Sequence, residues 1–368
     1  MPRGRNSRSV AGHPMKLFFS ILCSTLVFSA AAESLTENES LLFTGETRAT
    51  AKAMLLRIPK EPPRVFSSSR ETIYEMGRDY VWQPGARELT LTAESRIPFS
   101  TNAELHPAPN APHSYRSQRD SENWMFYGPG RVLHDMQSGA TYASDDDWKA
   151  PVVAASPHLD ALRERLKNKL PLKIVMLGDS ISTEADASAL SKAAPNQPGY
   201  PTLVAQGIEA RFGVKPTLVN ISKGGMDSAW GVTRVAAAIA EKPDLFLVAF
   251  GMNDAPGKRT PEDFVKLLRQ IYEPIRAALP DCSVIVISSM TANSEWIHAK
   301  PEVYPLYATA QAKLAGPGVA FADVTTTWTA ISDRKKHMDI SGNGLNHPND
   351  YGHRIYADVI LKTIGAGK

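Results

Sequence analysis

Four short patterns hold the side chains that could perform chemistry in this chain. They are Gly178-Asp179-Ser180, the stretch 220–228, Gly251-Met252-Asn253-Asp254 and Asn346-His347-Pro348. A serine hydroxyl becomes a nucleophile when a neighbouring imidazole accepts its proton, and neutral N–H donors stabilise the oxyanion that follows. Serine, imidazole, carboxamide and glycine amides together therefore indicate acyl transfer from an ester.

The patterns assign a role to each of four residues. Ser180 is the expected nucleophile and His347 the expected general base. The main-chain N–H of Gly225 and the side-chain amide of Asn253, with the N–H of Ser180 itself, are the expected oxyanion donors. Taken alone, Gly178-Asp179-Ser180 is more often a strand-to-helix turn whose serine caps a helix, so the assignment depends on all four patterns.

The elements that must position these residues alternate between strand and helix. Apolar runs predict strands at 174–177, 217–220, 245–250, 284–288 and 319–324, and helices near 157–170, 200–212, 228–240, 261–279, 302–314, 326–336 and 351–364. Parallel strands joined by helical crossovers form a three-layer α/β sheet, and ligands bind at the carboxyl ends of its strands. We therefore expect the four patterns to meet at one sheet edge.

The order Gly-Asp-Ser, Asn-x-x-x-x-Gly, Gly-x-Asn-Asp and His-Pro-Asn resembles the SGNH (GDSL-type) hydrolases over roughly residues 170–365. The resemblance implies a flavodoxin-like sheet, esterase or acetylesterase activity and no cofactor. It also implies that Ser180 is the nucleophile, that Gly225 and Asn253 are oxyanion donors, and that His347 is the base. No metal site is expected, because no carboxylate or thiol completes a ligand set with the histidines near the C-terminus.

One departure from the family concerns the acid that orients the histidine. The family usually has an aspartate three residues before the catalytic histidine, and this chain has Gly344 there. The imidazole Nδ1–H still needs an acceptor. The alternatives are the Asp339 carboxylate, the side-chain oxygen of Asn343 or Asn346, or a backbone carbonyl in a Ser-His dyad. Asp339 ranks first among the side chains.

The first 32 residues have the order of a secretory signal peptide. Basic residues precede an apolar stretch at 17–28 and a small-residue run, so we expect a secreted or periplasmic protein. Without residues 1–32 the formal net charge moves from +3 to −1. No cluster of lysine and arginine is interleaved with aromatics, which argues against a nucleic-acid partner. Cys282 is then the single cysteine, so an intrachain disulfide is excluded.

The stretch 35–150 is predicted to be a separate β-rich module, a small sandwich of jelly-roll type, ahead of the hydrolase domain at 157–368. Its predicted hairpins are 80–83 with 88–92, and 123–127 with 131–135. Trp82, Trp124, Phe126 and Tyr127 could stack on a sugar, although such residues more often form the core of a small β-domain.

The motifs predict a secreted serine esterase that hydrolyses carboxylic esters through an acyl-enzyme. The arrangement is similar to that of SGNH carbohydrate esterases with a β-module in front, and this resemblance, with the signal peptide and the aromatic residues, implies deacetylation of carbohydrate. Its partner would be a small-molecule or polysaccharide ester, with no membrane contact after signal cleavage, and its oligomeric state stays open. One alternative is a lipid, aryl or choline-type esterase. A different class of protein, favoured by the missing aspartate, is a catalytically impaired carbohydrate-binding surface protein.

Overall fold

The structure is a computed structural model that describes residues 34–115, 118–119, 122–144 and 146–366. The predicted signal peptide at 1–32 lies outside the described residues. Contacts group residues 33–368 into one compact unit; the boundary between a β-rich and a hydrolase domain stays a prediction. Among the described helices, none combines the length and apolar character needed to cross a bilayer.

The N-terminal part is rich in antiparallel strands, as predicted. Its elements are β1 (Ser34–Leu41), β2 (Lys52–Met54), β3 (Arg64–Ser67), β4 (Tyr80–Trp82), β5 (Glu88–Leu91), α1 (Asn102–Leu105), β6 (Ser114–Tyr115), β7 (Met125–Phe126), α2 (Arg131–Met136) and β8 (Ser138–Ser144). Two three-stranded sheets have the orders β1-β8-β3 and β2-β5-β4, and β6 pairs with β7. Side chains from both three-stranded sheets share one apolar core.

One of the two predicted hairpins is wrong. The pairing of β4 with β5 confirms the hairpin over 80–92. Residues 131–135, however, belong to helix α2, and β7 pairs with β6 instead. The helix buries Leu133 against Leu42 and Phe126. This tertiary packing outweighs the local strand preference of the segment, which is a weak and context-dependent signal.

The C-terminal part is a five-stranded parallel sheet flanked by helices, which confirms the predicted α/β class. Its elements are α3 (Asp160–Lys167), β9 (Lys173–Gly178), α4 (Tyr200–Phe212), β10 (Thr217–Asn220), α5 (Ser228–Val232), α6 (Val235–Ala240), β11 (Leu245–Ala249), α7 (Pro261–Ala278), β12 (Ser283–Ile287), α8 (Val303–Ala312), β13 (Val319–Ala322), α9 (Val324–Ser332), α10 (His337–Ile340) and α11 (Asp350–Ile364). The strand order is β10-β9-β11-β12-β13.

Strands β9, β11 and β12 form the buried centre of this sheet. Apart from its first residue β9 is buried along its length, and every residue of β11 and β12 is buried, as expected for central strands covered by helices on both faces. The predicted helix 228–240 is divided into α5 and α6, because Thr233 N and Arg234 N donate to carbonyls only three residues back. The carboxyl ends of β10, β9 and β11 lie side by side.

A buried ion pair joins the strand-rich part to the α/β part. Lys335 Nζ lies 2.6 Å from Glu39 Oε1, and both side chains are fully buried. Glu39 also accepts hydrogen bonds from Leu56 N and from Tyr142 Oη, and Lys335 donates to Met54 O. These extra bonds satisfy polar atoms whose burial would otherwise be costly.

Replacing Lys335 by methionine is expected to lower the free energy of unfolding by about 3–5 kcal/mol, because Glu39 would stay buried without its cation. Urea unfolding measures the difference. The matched control is Lys52→Met, which breaks the ion pair between Lys52 and Glu88, two side chains that are 52% and 42% exposed. We expect this variant to lose less than about 1 kcal/mol of unfolding free energy. Equal losses in the two variants would contradict the assignment.

Candidate active site

Ser180 stands directly after β9, where the chain turns away from the sheet. The loop from Asp179 to Ala187 is held by short-range bonds, among them Thr183 N and Ala185 N, which both donate to Ser180 O. Ser180 itself is half-buried. Its hydroxyl is therefore presented at the carboxyl edge of the sheet, where ligands bind in this class of fold.

A continuous chain of hydrogen bonds runs from Ser180 through His347 to Asp186. Ser180 Oγ lies 2.9 Å from His347 Nε2, and His347 Nδ1 lies 2.6 Å from Asp186 Oδ2. The Asp186 side chain is only 6% exposed, so its carboxylate faces the imidazole rather than water. Serine, histidine and carboxylate stand in the order that activates a hydroxyl for attack on a carbonyl.

The acceptor at His347 Nδ1 is not any of the predicted groups, and the ranking of Asp339 first is wrong. Asp339 instead accepts hydrogen bonds from Leu42 N and Lys336 N, which hold its carboxylate away from the imidazole. The backbone-carbonyl alternative is likewise replaced, because Asp186 occupies the position at Nδ1.

The side chains of Asn343 and Asn346 form hydrogen bonds within the loop that carries His347 and not with its imidazole ring. Asn343 Oδ1 accepts from the main-chain N–H groups of Leu345 and Asn346, at 2.9 and 3.0 Å. Asn346 Oδ1 in turn accepts from Asn343 Nδ2 at 3.2 Å. Both side chains therefore shape the turn that presents His347.

A close approach explains why the acid is missing from position 344. Gly344 has φ +90°, and a Cβ added there would come within 2.8 Å of the Phe126 carbonyl oxygen. An aspartate would be strained in its backbone and would clash with the strand-rich part. The sequence does not point to Asp186, because the pattern of the family places the acid three residues before the histidine. The available signal was an acidic residue six positions after the nucleophile.

The predicted oxyanion donors lie in loops at the same sheet edge. Gly224 approaches the nucleophile so closely that a Cβ added there would lie 3.7 Å from Ser180 Cβ, and Gly225 follows with φ +75°. Asn253 Nδ2 donates to Met226 O at 2.9 Å, which ties its carboxamide to the glycine loop. A carboxamide has two N–H bonds, so the second stays available for a ligand.

Other polar groups near the site have structural hydrogen-bond partners. Asp254 accepts from Ser228 N and Oγ and from Arg259 Nε. His353 is buried, with Nδ1 accepting from Tyr200 N and Nε2–H donating to Ala185 O. Burial lowers the pKa of His353, so the neutral ring is favoured.

Cys282, Trp82 and Phe126 are buried side chains outside the hydrogen-bonded series of Ser180, His347 and Asp186. Burial raises the pKa of the Cys282 thiol to about 12, as suits a core residue rather than a nucleophile. Trp82 and Phe126 are buried core residues. Within the described ranges, no three His, Cys, Asp or Glu side chains lie together as a metal ion would require.

A row of aromatic rings begins beside Asp186. Burial, followed by the negative charge of Asp186, raises the pKa of Tyr127. The Tyr127 ring centroid lies 5.3 Å from that of Tyr115, which lies 6.5 Å from Trp296, and Trp296 lies 5.5 Å from His298. Tyr115 is 39% exposed. The site is thus flanked by aromatic surface that a ligand can reach.

Residues 176–355 match a family model described as the GDSL-like lipase/acylhydrolase family. No curated protein sequence matches the chain. Among similar solved structures, an α/β hydrolase enzyme from the metagenome of Lake Arreo, Spain, is 20% identical with a TM-score of 0.43, covering 54% of this chain and 96% of that one. An acetyl-xylooligosaccharide esterase from Geobacillus is 17% identical, with a TM-score of 0.44 and coverages of 59% and 99%. A two-domain esterase active on acetylated mannans is 22% identical, with a TM-score of 0.45 and coverages of 56% and 53%.

Asp179 should make stability depend on pH. Burial raises the pKa of Asp179 to about 7, above its ordinary value of 3.8. A raised carboxyl pKa favours the folded state at low pH, and this contribution is lost as the pH rises through about 7. Between pH 4.5 and 8 we expect the wild type to lose on the order of 2–3 kcal/mol more unfolding free energy than Asp179→Asn. Urea unfolding at the two pH values measures this, and parallel losses would contradict the assignment.

Proposed function

We propose that the chain, a carboxylic ester hydrolase whose residues 176–355 match the GDSL-like lipase/acylhydrolase family, works through an acyl-enzyme formed on Ser180. The observation that carries the proposal is the hydrogen-bonded series of Ser180, His347 and Asp186, with 2.9 and 2.6 Å between successive polar atoms.

In the first half-reaction the Ser180 hydroxyl attacks the ester carbonyl while His347 Nε2 takes its proton. Negative charge develops on the carbonyl oxygen, and the N–H groups of Gly225, Asn253 and Ser180 donate to it. The ester C–O bond then breaks, and the imidazolium returns the proton to the departing alcohol. Ser180 is left acylated.

In the second half-reaction water takes the place of the alcohol. His347 removes a proton from the water, whose oxygen attacks the acyl carbonyl, and the imidazolium then protonates Ser180 Oγ as the acid leaves. Throughout, Asp186 accepts the Nδ1–H of His347, which keeps Nε2 free to accept a proton and stabilises the imidazolium.

Asp186 also bears on the alternative of an impaired, sugar-binding protein. That alternative was favoured by the empty acid position at Gly344. A carboxylate reaches the same imidazole nitrogen from the loop after the nucleophile. The proposal is therefore an active esterase.

For the substrate we propose an acetylated carbohydrate. Sugar rings carry C–H groups on their faces and hydroxyls on their edges, so they pack on aromatic faces that stay in contact with water. Tyr115 is such a residue, because it is 39% exposed and packs against both Tyr127 and Trp296. The series of rings begins at Tyr127, whose pKa the charge of Asp186 helps to raise, and it offers a sugar chain an aromatic surface near the proposed catalytic acid.

We further propose that the protein acts outside the cytoplasm. The support is the sequence of residues 1–32, in which basic residues, an apolar stretch and small residues follow one another. An extracellular or periplasmic location would bring the enzyme to polysaccharide esters.

Ser180→Ala is expected to reduce kcat for p-nitrophenyl acetate by at least about 10³-fold, because the attacking hydroxyl is removed. The matched control is Ser182→Ala in the same loop, since the Ser182 hydroxyl bonds to Tyr200 Oη rather than to His347. Its kcat should stay close to that of the wild type. Hydrolysis by Ser180→Ala at the wild-type rate would refute the proposed nucleophile.

Tyr115→Ala is expected to raise KM for an acetylated oligosaccharide by about 5- to 10-fold, corresponding to about 1 kcal/mol of lost stacking. KM for p-nitrophenyl acetate should not change. Released acetate and released p-nitrophenol measure the two reactions. If Tyr115→Ala leaves both KM values unchanged, and octanoyl esters gain about 0.8 kcal/mol per buried methylene over acetyl esters, a lipid esterase is the better assignment.

A further inference from the structure

We infer that the strand-rich N-terminal part supplies a positioning residue for the catalytic acid, namely Gly130, whose main-chain N–H holds Asp186 in register with His347. This inference rests on the proposed function, because it concerns the acid of the proposed Ser180, His347 and Asp186 series. It assigns the N-terminal part a role in catalysis as well as in binding.

Each oxygen of the Asp186 carboxylate has its own partner. Oδ2 faces His347 Nδ1 at 2.6 Å, and Oδ1 accepts from Gly130 N at 2.5 Å. The two partners come from different parts of the fold. Because the two oxygens are held by two different donors, the pair fixes both the position of the carboxylate and the rotation of its plane.

Asp186 needs such support because of where it lies. It sits in the irregular loop that follows β9, and its φ of +61° is uncommon for a residue other than glycine. The terminal torsion of an aspartate is broadly distributed, so a single hydrogen bond leaves the carboxylate plane free to rotate. The Gly130 N–H is the second partner.

Gly130 is itself held in place by buried contacts. The helix that follows it packs Leu133 against Leu42 and Phe126, and Leu133 N donates to Gly128 O. His134 Nε2–H donates to Ala194 O on the other side. The turn at 128–130 is therefore anchored to both parts of the fold.

The backbone of Gly130 has a conformation that only glycine adopts easily. Its φ and ψ are +71° and −125°, and a Cβ added there would meet nothing within 4 Å. A substitution should therefore rotate the peptide that carries the N–H without creating a clash. The orientation of the donor is the property that such a change disturbs.

The same turn supports the histidine as well as the acid. Gly128 N donates to Asn343 O at 3.1 Å, and Asn343 Oδ1 caps the main-chain N–H groups that precede His347. Acid and base are thus aligned against one short segment, 128–130. The Phe126 carbonyl that blocks the usual acid position at Gly344 belongs to the strand leading into it.

The test is Gly130→Ala in the full chain, with p-nitrophenyl acetate as the substrate. We expect kcat to fall about 10- to 100-fold, as for other groups that orient a functional histidine through its partner, with KM changed less than about twofold. The control is Gly85→Ala, a glycine of the β4–β5 turn that also has positive φ and open space around it. Its kcat and KM should match the wild type. A wild-type kcat in Gly130→Ala would overturn the inference.

Combining the change with Asp186→Asn separates positioning from general damage. If Gly130 acts through the acid, Gly130→Ala should cause no further loss of kcat in the Asp186→Asn background, whereas independent effects would multiply. Multiplying losses would overturn the inference. If Asp186→Asn alone had the wild-type kcat, the proposed function would lose its acid. If Asp186→Asn lowers kcat and Gly130→Ala does not, the proposed function stands and this inference is overturned.

Hydrogen exchange resolved to single amides tests the bond even if Gly130→Ala does not fold. In the wild type, the Gly130 amide should be protected. In Asp186→Ala its protection should fall, while the Gly128 amide, which donates to Asn343 O, keeps its protection. An unprotected Gly130 amide in the wild type, or equal protection in both proteins, would overturn the inference.

Discussion

The hydrogen bond between Asp186 and His347 is the interaction on which the rest of the site depends. An imidazole accepts a proton from serine at Nε2 only if its other nitrogen carries the proton, and a carboxylate at Nδ1 enforces that arrangement. In this protein the nucleophile and the acid come from one loop after β9, so their separation is set locally. Only His347 comes from a distant part of the sequence.

Delivery of the histidine depends on buried polar contacts around the loop between α10 and α11. Gln137 Nε2 donates to Met338 O and Ser341 O, and Asn349 Nδ2 donates to Gln137 Oε1 and Asp339 O. Each of these groups would be costly to leave unpaired at this depth. The strand-rich part therefore does more than cover the α/β sheet, because its side chains define the path of the loop that carries His347.

The features that the sequence predicts correctly are those determined by residues close together along the chain. The strands of the α/β sheet, and the positions of Ser180 and Asn253 after them, follow from local apolar runs and turn residues, and the structure has them within one or two residues of the predicted bounds. The long helices were predictable for the same reason. Local patterns determine these features because each is bounded by its own neighbours in sequence.

The acid was not predictable in this way, since its position reflects a contact remote in sequence. The Phe126 carbonyl fills the space beside Gly344, and a different segment supplies the N–H that holds Asp186. Neither contact leaves a periodic pattern in the sequence. The sequence predicts a strand where helix α2 forms, because the helix is stabilised by Leu133 packing against residues far away along the chain.

The most direct test of this account compares the steady-state kcat of Asp186→Asn and Asp339→Asn on a short acetyl ester, with both proteins confirmed as folded. Both changes keep the shape of the side chain and remove its charge. The account predicts that Asp186→Asn lowers kcat by about 10³- to 10⁴-fold through the wrong histidine tautomer, while Asp339→Asn affects stability and leaves kcat near the wild-type value. A wild-type kcat in folded Asp186→Asn would contradict the account, and a collapse of kcat in folded Asp339→Asn would assign the acid to Asp339 instead.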